Sequence, residues 1–142
     1  MEKENLDSKN LYKLYLSCIG KSIPFFSEKS FIRTLKQKYN FVIYNSHSIL
    51  IYQNFSEEVE IFFFGVKEKM RREKIGTKIF NQFLDLLKKN NVKKIFLEVD
   101  EKNKAAKLFY KKFQFKTINI RKDYYPVKSG KKSNALLMCK TL

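Results

Sequence analysis

The pattern of apolar residues predicts an α/β fold in which helices flank a mixed, twisted sheet. Three observations carry this. Two segments with helical spacing open the chain, and three strand-like runs follow them. A strand–helix–strand unit then fills residues 59–99, which requires a parallel, right-handed crossover. A shorter helical segment and two further strand-like runs close the chain.

In residues 10–19, Leu11, Leu14, Tyr15 and Cys18 recur at the spacing of one helical face. Pro24-Phe25-Phe26 interrupts the pattern, and Ser27 reads as the N-cap of a second helix through Phe31, Ile32 and Leu35. Runs 41–44 and 48–52, separated by Asn45-Ser46-His47, predict an antiparallel hairpin, and run 59–66 a third strand. His47 reads as a solvated turn residue. Ile75, Ile79, Phe83, Leu86 and Leu87 form the stripe of a helix over 75–90 that stops at Asn90-Asn91. Residues 94–99 read as a strand, and Ala105, Ala106, Phe109, Tyr110 and Phe113 mark a helix opening near Asn103. Residues 116–121 and 134–139 give two last strands, joined by a loop containing Tyr124, Tyr125, Pro126 and Gly130. Nothing resembles a linker or a repeat, so one domain over residues 1–142 is expected.

With 44% hydrophobic and 31% charged residues, four Gly and two Pro, the composition excludes a disordered or low-complexity chain. The longest apolar run, 61–66, is far shorter than the roughly 20 residues of a membrane span. The first residues lack the apolar core of a signal peptide, so a cytoplasmic protein without membrane contact is expected. Cys18 and Cys139 have no metal-like spacing and there is one His, so neither a disulfide framework nor a metal site is expected. The net charge of +16 has two readings. A basic surface can contact a polyanion such as the ribosome. However, 26 Lys against four Arg, with only three Ala, is also what an AT-rich coding sequence produces.

Ligands of a parallel crossover gather at the carboxyl ends of its strands and at the helix amino terminus, here near Val66, Gly76 and Val99. The loop Arg71-Arg72-Glu73-Lys74-Ile75-Gly76-Thr77 leads into that helix, and a helix start with a glycine and flanking cations favours phosphate. It is neither a Walker loop nor a dinucleotide fingerprint, and a solvated basic turn is its plain alternative. Within strand 94–99, Ile95, Leu97 and Val99 share one face and Phe96 and Glu98 the other. A carboxylate near the carboxyl end of a covered strand is placed for general-base work, against the alternative of a rim glutamate paired with a lysine. Tyr110 lies on the apolar stripe of the next helix, where tyrosines usually serve the core. Its pairing with Glu98 makes it a catalytic candidate.

These residues resemble the GNAT family of N-acetyltransferases, and within it the bacterial ribosomal-protein-alanine (RimI-type) branch. Leu97-Glu98-Val99, Asn103-Lys104-Ala105-Ala106 and Leu108-Phe109-Tyr110 match that branch's strand-to-helix signature in order and spacing. Phe113-Gln114-Phe115 stands where the family has Leu-Gly-Phe, and Ile120-Arg121-Lys122-Asp123-Tyr124-Tyr125-Pro126 resembles an Arg-Arg-Asn-Tyr-Tyr-Pro segment. Pro24-Phe25-Phe26-Ser27 is similar to the branch's Phe-Pro-Trp-Ser, without the Trp. In the cofactor loop Arg71 and Gly76 fit the family pattern, while Lys74 occupies its first glycine position. A Lys there is tolerated at negative φ, where its ammonium adds to phosphate binding; if the position requires a positive φ, lower affinity for the cofactor is expected.

The resemblance implies a sheet whose strands 59–66 and 94–99 splay apart to admit acetyl-CoA as co-substrate. Phe64, Gly65 and Val66 would pair with its pantetheine arm, and an N–H near Val66 would polarise the thioester carbonyl. Arg71, Arg72, Glu73, Lys74, Ile75, Gly76 and Thr77 would hold the pyrophosphate, with Asn103 helping at the pantetheine end. Glu98 would be the base and Tyr110 the acid. Phe25, Phe26, Tyr124 and Tyr125 would pinch the amino terminus of a protein acceptor, a ribosomal protein beginning with alanine. The alternatives are an acetyltransferase acting on lysine or a small amine, and a catalytically impaired basic module that binds ribosome or RNA.

Overall fold

The computed structural model describes residues 6–22, 24–71, 73–126 and 130–142. Asp7 and Ser27 start the first two helices, α1 (Ser8–Ile19) and α2 (Glu28–Lys36). Each side chain accepts the N–H three residues on, at 3.2 and 3.1 Å. Then come β1 (Asn40–Tyr44), β2 (Ser48–Phe55), β3 (Glu58–Val66), a 3₁₀ turn (Glu68–Met70), α3 (Ile75–Lys89), β4 (Lys94–Asp100), α4 (Lys104–Lys112), β5 (Lys116–Pro126) and β6 (Lys132–Thr141). The six strands form one sheet in the order β1-β2-β3-β4-β6-β5, antiparallel except for the β3–β4 pair. The expected mixed α/β architecture is therefore present. No helix among the described residues is long and apolar enough to cross a membrane.

The sheet divides the core in two. Ile95, Leu97 and Val99 face α3 and α4, where Phe80, Phe83, Leu87, Tyr110 and Phe115 complete one cluster. Ile49 and Ile51 face α1 and α2 and join Tyr15, Phe31 and Leu35 in the other. Alternation along β4 follows the sequence: Ile95, Leu97 and Val99 are buried, whereas Phe96, Glu98 and Asp100 are half-buried. The second face of this strand is thus less covered than expected, and that is where Glu98 stands.

Three irregularities were not foreseen, the smallest being the extra residue Ile118 between the Thr117–Met138 and Asn119–Leu137 pairs of β5 and β6. Ile51 pairs with Phe63 but Tyr52 with Ile61, so Phe62 is an extra residue in β3, and both Phe62 and Phe63 turn to the α1/α2 cluster. In β5, Arg121 pairs with Ala135 and Tyr125 with Ser133, which leaves residues 122–124 opposite Asn134 alone. Tyr124, Tyr125 and Pro126 therefore end a strand rather than lying in the expected loop. Pairing resumes beyond the bulge because Asp123 takes a positive φ of 52° and its N–H donates to Asn134 Oδ1 at 3.0 Å.

Gly65 shows how tightly α1 lies on β3. A Cβ built there would stand 2.7 Å from Phe63 Cζ and 2.9 Å from Cys18 Cβ. Gly65→Ala should destabilise the fold by about 1–3 kcal/mol, read from urea unfolding. An unchanged midpoint would mean that α1 moves away at no cost.

Candidate active site

β3 and β4 are paired only from Glu58↔Lys94 to Ile61↔Leu97, although β3 continues to Val66 and β4 to Asp100. Their other neighbours hold them apart. β2 stays paired with β3 as far as Val66, and β6 with β4 as far as Asp100. The extra residue Phe62 falls where the two strands part, and bulges bend the strand that contains them. Phe64, Gly65 and Val66 thus lie along a β3 edge that β4 no longer pairs, where backbone N–H and C=O groups need other partners.

The amino terminus of α3 abuts this edge. A Cβ on Gly76 would come within 3.3 Å of Val66 Cγ2 and 3.6 Å of Phe64 Cζ, so glycine allows the close approach of helix to strand. The helical ladder begins with Lys78 N–H donating to Lys74 O at 3.0 Å, which leaves the N–H groups of Ile75, Gly76 and Thr77 outside it. No side chain caps this end, and no acidic residue lies in its first turn. Its partial positive charge is available to an anion. Lys74, the N-cap, has φ 60° and ψ 15°, so the positive-φ alternative is the one realised. Glu73, Lys74 and Thr77 are exposed and Ile75 is half-buried, while Arg72 lies outside the described residues. Arg71 is a correction. Its Nε donates to Val66 O at 3.0 Å and its Nη2 to Cys18 O at 2.7 Å, so the guanidinium ties the loop to β3 and α1 instead of reaching for phosphate.

A groove of about 510 Å³ runs between α3 and α4, lined among others by Thr77, Asn81, Leu108, Phe109 and Lys112. Leu108 is 62% exposed there. It lies off the apolar stripe of α4, the one sequence signal that could have singled it out. Asn103 accepts from Ala106 N–H at 3.1 Å, so its carbonyl oxygen caps α4.

Glu98 and Tyr110 approach the gap from different elements. Arg121 Nη2 lies 3.3 Å from Glu98 Oε1, and the Arg121 guanidinium stands 4.8 Å over the Tyr124 ring. Tyr124 meets Tyr125 edge-on at 4.9 Å. Burial pushes the Tyr125 hydroxyl well up, and the charges of Glu98 and Asp100 add to this. Burial likewise pushes up the hydroxyl of Tyr110, with Tyr125 contributing. Tyr125 is thus within electrostatic reach of both Glu98 and Tyr110, while alternation along β4 puts Glu98 on the face opposite Leu97 and Val99, the residues that share a core with Tyr110. Glu101 supports them: it accepts from Asn134 Nδ2 at 3.2 Å, and Asn134 Oδ1 in turn holds the Asp123 bulge. Such long-range ties leave no mark in local sequence.

The aromatic pair of the first loop divides. Phe26 is buried among Tyr15, Phe31 and Phe25, so its ring belongs to the core, whereas Phe25 is 65% exposed. Their described contacts are with each other, α1 and α2, not with Tyr124 or Tyr125. Tyr15, read from sequence as a core residue, accepts from the N–H groups of Phe25 and Phe26 at 2.9 and 3.1 Å. Tyr12 donates to Phe26 O at 3.1 Å.

The left-handed conformation of Lys74 has a stability consequence. A side chain there costs about 1–2 kcal/mol, of which the greater unfolded-state freedom of glycine offsets about half. Lys74→Gly should therefore raise stability by about 0.5–1 kcal/mol in urea unfolding. A loss would show that the lysine side chain makes contacts worth more than its backbone strain.

A model of the Acetyltransferase (GNAT) family matches residues 39–115. The ribosomal protein bS18-alanine N-acetyltransferase of Haemophilus ducreyi is 28% identical over 94 residues, which cover 66% of this chain and 65% of that one. Its namesake from Escherichia coli K12 is 28% identical over 116 residues, 79% of this chain and 78% of that one. A crystal structure of the Escherichia coli protein superposes with a TM-score of 0.85 at 25% identity, covering 97% of this chain and 89% of the other. The splayed strands and the uncapped helix start thus lie within the stretch that the family model matches, and the chain belongs to the GNAT acetyltransferase family.

Proposed function

We propose that the protein transfers the acetyl group of acetyl-CoA to the α-amine of a protein amino terminus, and that its acceptor is a ribosomal protein beginning with alanine. The observation that supports this reading is the parting of β3 and β4 beside a helix start whose N-cap makes no side-chain hydrogen bond, with Glu98 on the diverging stretch of β4. The activity shared by the similar proteins supports the acceptor class.

The residues fit acetyl-CoA. The open edge at Phe64, Gly65 and Val66 offers backbone partners to an amide-bearing arm, and the N–H groups of Ile75, Gly76 and Thr77, which precede the helical ladder, suit a pyrophosphate. Lys74 adds an ammonium beside them. Its strain is already present in the folded chain, so it lowers stability rather than affinity. Acetyl-CoA supplies the acyl group as an activated thioester. Glu98, through water, takes a proton from the incoming ammonium and leaves a neutral amine. Tyr110, like any tyrosine, is protonated at neutral pH, and burial holds that proton more firmly until the departing thiolate takes it. Transfer is direct, since Cys18 is buried against Gly65 and burial pushes its thiol up. Tyr124, Tyr125 and the exposed Phe25 contact the peptide. A ribosomal acceptor places the reaction in the cytoplasm. The exposed lysines Lys88, Lys89, Lys93 and Lys94 would add a weak polyanion contact that salt screens.

Amine acidity favours an α-amine. Its pKa of about 7.7–8.0, against about 10.4 for lysine, leaves roughly a tenth of α-amines neutral at pH 7 but fewer than about one lysine in a thousand. A competition assay should show acetylation of alanine-initiated peptides at the α-amine, with internal lysines hardly touched; predominant ε-acetylation would overturn the assignment. Glu98→Gln and Tyr110→Phe should each lower turnover about 10²-fold or more with acetyl-CoA binding nearly intact.

The phosphate site has its own check. Gly76→Glu would crowd Val66 and put a carboxylate against the phosphates, so acetyl-CoA should bind at least about tenfold more weakly by calorimetry. Unchanged affinity in a folded variant would move the phosphate site elsewhere.

A further inference from the structure

Glu60 is a half-buried carboxylate in the interior of the sheet, on a strand where an apolar residue would serve the fold better. The parallel register pairs it with Phe96, and Glu98 follows two residues on along β4. Side chains two apart share a face, so Glu60 and Glu98 point to the same side of adjacent strands. With strands about 4.8 Å apart and two residues rising about 6.6 Å, their Cα atoms stand about 8 Å apart, within reach of two glutamate side chains. Arg121 completes the group from β5, reaching across β6 to Glu98 at 3.3 Å. In a chain of 30 cationic side chains, this is the one ion pair within 4.0 Å among the described residues.

We infer that Glu60 and Arg121 are opposed positioning residues of the amine site, one pressing a like charge and the other an opposite charge on Glu98. The inference rests on Glu98 being the base. Glu60, Glu98 and Arg121 together carry one net negative charge, to which Asp100 adds, so an incoming ammonium is attracted. Arg121 alone would neutralise Glu98 and remove the attraction for a cationic substrate; Glu60 restores it. Because the Arg121 side chain is 60% exposed, its ion pair is weak and yields readily to the substrate amine.

The electrostatics of Glu60 agree with this arrangement. Burial pushes its carboxyl above the ordinary range, the charge of Glu98 pushes it further, and Arg121 pulls it back. In the register its neighbours are Gln53 on β2 and Phe96 on β4, which are uncharged. Asp100 and the phenols of Tyr124 and Tyr125 surround the Glu98 end of the group, and Tyr110 faces Tyr125 from α4.

Carboxyl-carbon NMR titration of Glu60 in the free protein tests the inference directly. Its midpoint should fall by about half a pH unit or more in Glu98→Gln, where the like charge is gone, and rise by a similar amount in Arg121→Gln. Arg121→Lys should restore most of the original value. In activity, Glu60→Gln should lower kcat/KM for an alanine-initiated peptide about three- to tenfold, through KM for the peptide, with KM for acetyl-CoA unchanged. A Glu60 midpoint that ignores both Glu98→Gln and Arg121→Gln, or moves the same way in both, overturns the inference. Full activity of Glu98→Gln would instead overturn the base assignment, so the two failures are distinguishable.

Discussion

The parting of β3 and β4 is the constraint on which the remaining features depend. Two parallel strands that share four register pairs and then diverge leave backbone groups without ladder partners, a costly state inside a protein. The structure sustains it because each strand keeps its other neighbour: β2 accompanies β3 to its end and β6 accompanies β4. The bulge at Phe62 lets β3 bend away without breaking that outer pairing. Arg71 then anchors the far end of β3 by gathering the carbonyls of Val66 and Cys18. Under the proposed function, an acyl-donor arm pairing with the open edge would take the place of the missing ladder.

How much of this was legible in the sequence followed the range of the interactions involved. Ser27 was readable as a cap, and Asn103 as the place where a helix opens, because a cap bonds three residues along the chain, and both do so. The alternation that put Glu98 opposite Leu97 was likewise local. The divergence was not legible from patterning, because Ile61 to Val66 reads as one continuous apolar run and gives no sign that Phe62 and Phe63 turn to the same face; only the family resemblance implied it. The left-handed Lys74 and Asp123 were equally silent as residue types. Tyr124 and Tyr125 were named as site residues but assigned to a loop, since the bulge that keeps them in β5 depends on Asn134 and Glu101, residues distant in sequence.

Charge and burial work in opposite senses at the two ends of the gap. At the α3 end, backbone dipoles and exposed cations face open solvent, which suits a ligand carrying several negative charges. At the Glu98 end the phenols of Tyr110 and Tyr125 are desolvated, and a carboxylate takes its surroundings from neighbouring strands. A chain with +16 overall charge thus keeps a locally acidic corner, which the excess of lysine elsewhere would otherwise conceal.

The anchoring of the Phe25–Phe26 segment has a consequence for how such a protein diversifies. The family model matches residues 39–115, whereas α1, α2 and the Tyr124–Tyr125 bulge lie outside that stretch. The outer segments are nonetheless tied firmly into the matched stretch: Tyr15, Phe31 and Leu35 share one core with Val42, Ile49 and Ile51, β6 pairs with β4 along its length, and the Tyr15 ring lies against Phe63 at 4.8 Å. Descendants that exchanged the outer segments would therefore have to preserve both that shared core and the β4–β6 pairing. The exchange would succeed only where the replacement helix kept a small residue over Gly65 and an aromatic ring on Phe63. Lineages that alter specificity should for that reason vary in the loop before varying in the helix that holds it.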